Sequence, residues 1–167
     1  MSDTVKEIMD ATERRIREAG YSGFSFREIA VDVGVKSASI HYHFPTKSAL
    51  AAAVARRYNE RVVEAANAGV AAGQDVVQAW KAVFRSALDE GAKMCLCGSL
   101  GATAPDLSPD VASEVRRFYE AGIANLIAGG LTEQRATQVL ATLEGAILMA
   151  SAQDDPAIFE RATEALR

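Results

Sequence analysis

Apolar residues return every three or four positions in segment after segment of this chain, and nowhere do they alternate in the two-residue rhythm of a half-buried strand. The pattern restricts the chain to packed helices, an all-α fold. Val5, Ile8, Met9, Ile16 and Ala19 mark a first helix, ended by Gly20. Ser25 stands where an N-cap belongs, with Glu28 three residues on, and Phe26, Ile29, Ala30 and Val33 form the stripe of a short second helix stopped by Gly34. A third is expected from about Ser37 to Phe44, stopped by Pro45, and Thr46 caps a long fourth through Leu50, Val54, Tyr58, Val62 and Ala66. Past the glycine-containing stretch NAGVAAGQD, the same logic gives a fifth from Val76 to Leu88, breaking at Gly91, and a short sixth from Met94 to Ala104. Ser108, Pro109 and Asp110 start a seventh that runs to Gly129, Thr132 an eighth, and Asp155 with Pro156 a ninth.

Within this frame, the stretch from Ser25 to Leu50 stands out. Two short helices joined at Gly34 and Val35, with Ala30 small enough to let them approach, make a helix-turn-helix. The second of them needs only Val35, Ile40 and Phe44 to reach the core. Ser37, Ala38, Ser39, His41, Tyr42 and His43 therefore point elsewhere, and all are small or hydrogen-bonding groups of a kind that enters a DNA major groove. Arg27 and Lys47 fall in the first turns of the second and fourth helices, where their charge and the backbone N–H groups together suit a phosphate. The charge distribution agrees. The net charge is −4, yet Met1 to Arg61 holds ten Lys and Arg against eight Asp and Glu, whereas the rest holds eight against fourteen.

The pattern from Phe24 to Leu50, FSFREIAVDVGVKSASIHYHFPTKSAL, resembles the N-terminal signature of the TetR family of transcriptional regulators almost position by position. The resemblance implies that Ser25, Arg27, Lys36, Ser37, Ser39, Tyr42, His43 and Lys47 stand where relatives touch DNA, Tyr42 and Lys47 mainly on the backbone. His41 departs from the pattern, many members having tyrosine there, and is kept among the candidate contacts. The implied architecture is a DNA-binding domain over 1–47 and an effector-binding and dimerisation domain over 48–167, linked by a helix at 48–66. Helices eight and nine would form a four-helix bundle in a homodimer.

The second half is read from its residues more sparsely. Trp80, Phe84, Met94, Cys97, Leu100, Phe118, Tyr119 and Met149 either line an effector pocket or are plain core, because aromatic residues at helical spacing serve both. Arg116 and Arg117 would suit a carboxylate ligand if a pocket lay close. Ala136, Leu140, Leu143, Ile147 and Ala150 form a small-and-apolar stripe suited to close packing between subunits, or equally within one. Cys95 and Cys97, with Lys93 beside them, are either structural or a thiol sensor of oxidants and electrophiles.

No residue set suggests an enzyme, a cofactor or a metal site. His41 and His43, two apart on a helix, diverge, and no nucleophile has a base in sequence context. No apolar run approaches the roughly 20 residues that cross a bilayer, and the first residues are polar and charged, so a cytoplasmic location without membrane association is expected. The reading is a homodimeric regulator binding a palindromic double-stranded DNA operator, most simply a repressor released by an unknown small molecule. The alternative is a thiol-based sensor using Cys95 and Cys97.

Overall fold

The computed structural model describes residues 3–89 and 94–167; the expected break at Gly91 and the cation Lys93 lie outside the described residues. Nine α-helices, and no strand, are found among them: α1 Asp3–Ala19, α2 Phe26–Val33, α3 Ser37–His43, α4 Lys47–Ala71, α5 Val76–Asp89, α6 Leu96–Gly101, α7 Pro109–Ala128, α8 Glu133–Gln153 and α9 Ala157–Thr163. The all-helical expectation holds, and the capping residues explain why. Thr46 Oγ1 accepts from Ala49 N at 3.0 Å, Thr132 Oγ1 from Arg135 N at 3.2 Å and Asp155 Oδ1 from Ala157 N at 3.0 Å, each satisfying an amide that a helix start leaves without a partner. Two elements differ from the sequence reading. α4 continues to Ala71, past the expected Ala66, and α6 ends at Gly101, leaving Ala104–Asp106 as a 3-10 turn.

The chain forms two compact units. The first comprises Met1–Tyr58 and Leu96–Arg116. Its core collects Ile8 and Ile16 of α1, Phe24, Ile29 of α2, Ile40 of α3, Leu50 and Val54 of α4, Leu96 and Leu100 of α6 and Val111 of α7, each 1% exposed or less. Burial of one such side chain contributes on the order of 2 kcal/mol relative to leaving it exposed. Polar contacts then fix how its helices lie. Ser99 Oγ donates to Ile16 O at 2.7 Å, tying α6 to α1. Arg57 of α4 reaches Asp10 at 2.8 Å and Glu13 at 3.2 Å on α1, and Arg56 donates to the buried Glu114 of α7 at 2.8 Å.

The second unit comprises Asn59–Cys95 and Arg117–Arg167. Trp80 and Phe84 of α5, Phe118 and Leu126 of α7, Val139, Leu143 and Ile147 of α8 and Phe159 of α9 fill its interior. The Trp80 indole N–H donates to Asn125 Oδ1 at 2.8 Å, and Asn125 Nδ2 donates to Asn67 Oδ1 at 2.7 Å, so the one polar edge of the large ring is satisfied. Gly122 lets these helices approach: a Cβ there would stand 3.1 Å from both Leu140 Cδ2 and Trp80 Cη2. α9 is fastened to α5 by Gln78 Nε2 on Leu166 O at 2.9 Å and by the Arg85–Glu160 ion pair.

Candidate nucleic-acid interface

α2 and α3 owe their arrangement to one glycine. Gly34 adopts φ 75°, ψ 29°, the left-handed conformation that side chains with a Cβ resist, and from it Gly34 N and Val35 N turn back to the carbonyls of Val31 and Ala30. α3 therefore starts two residues later in a new direction. At the other end of α2, Ser25 Oγ accepts from Glu28 N at 3.3 Å and donates to Glu28 Oε2 at 2.7 Å. This is a variant of the capping box, in which the carboxylate takes the hydroxyl proton rather than the cap's own amide. α1 is locked against α2 by Arg15, whose guanidinium forks onto both oxygens of Asp32 and also lies 3.5 Å from Glu28.

That scaffold sets the exposure of α3. Ile40 is fully buried and Phe44 nearly so, while Ala38, His41, Tyr42 and His43 are exposed and Ser37 and Ser39 half-buried. Tyr42 is 85% exposed, which is unusual for so large an apolar ring and leaves its hydroxyl accessible. Its ring meets His43 edge-on at 5.0 Å, and His41 meets Phe26 edge-on at 4.5 Å. The imidazole of His41 is thus oriented by α2. Lys36, at the N-cap of α3, and Arg27, in the first turn of α2, are both exposed.

Lys47 sits differently from a freely solvated lysine. Its Nζ lies 4.5 Å from the Phe24 ring centroid and 4.8 Å from that of Tyr21, so two aromatic faces hold the ammonium at the first turn of α4. Burial lowers its pKa, and the nearby Glu28 carboxylate opposes the shift. Ser25, Arg27, Lys36, Ser37, Ser39, His41, Tyr42, His43 and Lys47 thus all lie in α2, α3 or the residues that cap and follow them, within the first compact unit.

The other candidate residues are dispersed. Trp80, Phe84 and Phe118 are buried in the second unit's core, Cys97 and Leu100 in the first unit's, Met94 is half-buried and Met149 is 51% exposed. Tyr119 alone among them lines a cavity of about 260 Å³ in the second unit, together with Ile123, Thr137, Leu140, Ala141 and Glu144. Arg116 and Arg117 are exposed and absent from its lining, so the charged group the cavity presents is a carboxyl instead. Periodicity passes over Ile123, Thr137, Ala141 and Glu144. Glu144 nevertheless left a signal, because it stands four residues after Leu140 and three before Ile147, on the stripe of α8 that faces inward. Burial pushes its carboxyl up to about 7, against the opposing effect of the Cys95 thiol.

The stripe marked for packing between subunits is already occupied within the chain. Ala136, Leu140, Leu143, Ile147 and Ala150 are each 3% exposed or less. The side of α8 left open carries Ala141, Leu148, Met149 and Ala152 instead. Cys95 and Cys97 are both buried, 1% and 0% exposed, and neither is in a disulfide. Among the described residues no cluster of His, Cys, Asp and Glu is arranged to hold a metal ion, and no helix is long and apolar enough to cross a membrane.

Residues 8–54, which contain α2, α3 and the start of α4, match the family profile described as bacterial regulatory proteins, tetR family. Similar solved structures extend over the whole chain. A TetR transcriptional regulator from Legionella pneumophila is 26% identical, superposes with a TM-score of 0.89 and is covered over 98% of this chain and 95% of that one. A TetR-family transcriptional regulator from Agrobacterium tumefaciens is 28% identical, with a TM-score of 0.82 over 96% of this chain and 94% of that one. A TetR-family member from Streptomyces coelicolor A3 is 29% identical, with a TM-score of 0.73 over 99% and 96%. No curated protein matches the chain significantly in sequence.

Proposed function

Since residues 8–54 match the tetR-family profile and the whole chain superposes on TetR-family regulators, we propose that this chain is a TetR-family homodimeric repressor that reads a palindromic operator with α3 and is released from it by a small molecule. The observation that carries this reading is the outward face of α3. His41, Tyr42 and His43 stand exposed beside half-buried Ser37 and Ser39, on a helix whose inner side is closed by Ile40. A helix of seven residues reads too few base edges to be selective alone, and a twofold pair separated by about one helical turn of DNA supplies the rest. In this reading 1–47 is the DNA-binding domain and 48–167 the effector and dimerisation domain.

The partner copy docks on the open side of α8, where Leu148 and Met149 are 53% and 51% exposed, and on α9. Base contacts come from Ser37, Ser39, His41 and His43, and phosphate contacts from Arg27, Lys36, Tyr42 and Lys47. The effector acts by preferring the state in which the two reading helices no longer match the operator, and α4, which continues from the DNA-binding domain to Ala71, transmits that preference. Selection from a random duplex pool at physiological salt tests the reading. An inverted repeat is expected to emerge, and enrichment of no sequence would refute it.

A further inference from the structure

Gly145 stands near the middle of α8 without a cause inside the chain. Glycine in a helix interior is destabilising relative to alanine, and at Gly122 the reason is visible in the Trp80 and Leu140 atoms that a Cβ would meet. At Gly145 the backbone is helical and nothing lies within 4 Å of an added Cβ. The same side of α8 holds a hole and a knob. The hole is the cavity of about 260 Å³ between α7 and α8, walled by Tyr119, Ile123 and Leu140 and edged by the exposed Ala141. The knob is Leu148, 53% exposed, which stands seven residues after Ala141 and three after Gly145, on one stripe with both. This face carries no exposed charge. From Ala136 to Gln153 the only charged residue is Glu144, whose oxygens are enclosed, in a chain that is 24% charged overall. A partner of opposite charge has nothing to recognise here, whereas an identical copy, which brings like charges to any contact with itself, meets no repulsion.

We propose that this face receives α8 of a second copy, antiparallel to the first, with the twofold axis beside Gly145 and Leu148 of each copy seated in the other copy's α7–α8 cavity. In a contact of this symmetry, residues at matching distances on either side of the axis oppose each other, so knob and hole must stand on one face to either side of it. Leu148 and Ala141 do so, three residues after Gly145 and four before it. The bare backbone at Gly145 lets the two helices approach closely enough for a leucine to enter the cavity. Withdrawal of Leu148, and of Met149 beside it at 51% exposed, from water drives the association. The contact rests on the homodimer of the proposed function and gives that homodimer its register.

The test is sedimentation of the full chain over a range of concentrations, with variants of the knob, the axis and the hole. Leu148→Ala removes a side chain that is half exposed within its own chain, and is expected to weaken dimerisation at least about tenfold. Gly145→Ala separates the two readings of the glycine. Alanine is the better helix former, so an incidental glycine leaves association unchanged, whereas a close crossing is expected to lose it while helical circular dichroism is kept. The register is read by oxidation of the double variant Ala141→Cys, Leu148→Cys, which is expected to give a covalent dimer that neither single variant gives. Unchanged association of Leu148→Ala or Gly145→Ala, or a double variant that stays uncrosslinked, overturns the contact and leaves the cavity to another occupant. Duplex selection with the wild type runs in parallel. A dimer that selects an inverted repeat while the double variant stays uncrosslinked defeats the register alone; a monomer that selects no inverted repeat defeats the homodimer reading itself.

Discussion

Arg15 of α1 and Asp32 of α2 form a two-pronged ion pair, Nε on Oδ2 and a terminal nitrogen on Oδ1 at 3.0 Å, with Arg14 at 4.0 Å from the same carboxylate. The hydrogen bond from Arg15 holds the Asp32 carboxyl below its ordinary value. A depressed carboxylate stabilises the folded state above its unfolded pKa, and that stability is lost as pH falls through the lower, folded value. Both side chains are partly solvated, so screening reduces the pair to about 0.5 to 1 kcal/mol. Asp32→Asn is expected to lower stability by that amount at pH 7 and by nothing measurable near pH 2; equal losses in urea titrations at both values would mean that the pair does not set the α1–α2 contact.

Gly34 gives a backbone prediction. Its φ of 75° is left-handed, and no atom lies within 4 Å of an added Cβ, so Gly34→Ala is penalised by conformation and not by a clash. A loss of about 1 kcal/mol is expected from thermal or urea unfolding, and Gly34→Asn is expected to recover part of it because asparagine tolerates this region better. Asparagine and alanine behaving alike would contradict the account of the turn.

Lys47 separates affinity from specificity. Its ammonium is held over Phe24 and Tyr21 at the start of α4, and in the proposed reading it meets a phosphate and not a base. Lys47→Ala is expected to weaken binding to specific and unrelated duplexes alike and to reduce the slope of log affinity against log salt by about 1. An unchanged slope would remove Lys47 from the phosphate contacts.

Glu144 is expected to make stability depend on pH in the opposite sense to Asp32. Its folded pKa of about 7 lies above the ordinary 4.5, so the stability of its protonated form is fully present below 4.5 and is lost as pH rises to about 7. The interval corresponds to roughly 3 kcal/mol. Glu144→Gln is expected to unfold at similar urea concentration to the wild type at pH 4.5 and at clearly higher concentration at pH 8. The Cys95 thiol and the Tyr119 phenol are its titratable neighbours. Parallel pH profiles for the two proteins would show that the carboxyl is solvated.

α1 to α3 and the start of α4 are legible in the sequence because each boundary there is a local event. Ser25 caps α2, Gly34 turns it, Pro45 stops α3 and Thr46 starts α4, and none of these depends on a distant residue. The second unit is harder to read because the same periodicity marks residues buried in the chain and residues facing a partner. Leu140 and Ile147 illustrate the ambiguity: they share a stripe that packs inside the chain, while Leu148 and Met149, one step around the helix, are the exposed pair. Glu144 was obscured for the converse reason. A single acid on a helix reads as solvated surface, and only the packing of α7 beside α8 shows that its oxygens are enclosed.

The central claim is that α3 reads bases in two symmetric copies, and the measurement that tests it most directly is duplex selection repeated with Ser39→Ala. Ser39 is half-buried on α3 and its backbone amide bonds Lys36 O at 2.9 Å, so removing the hydroxyl leaves the helix intact. The account expects an inverted repeat with unchanged half-site spacing and an altered base preference at one symmetric pair of positions. An identical consensus from the variant and the wild type at every position would contradict it.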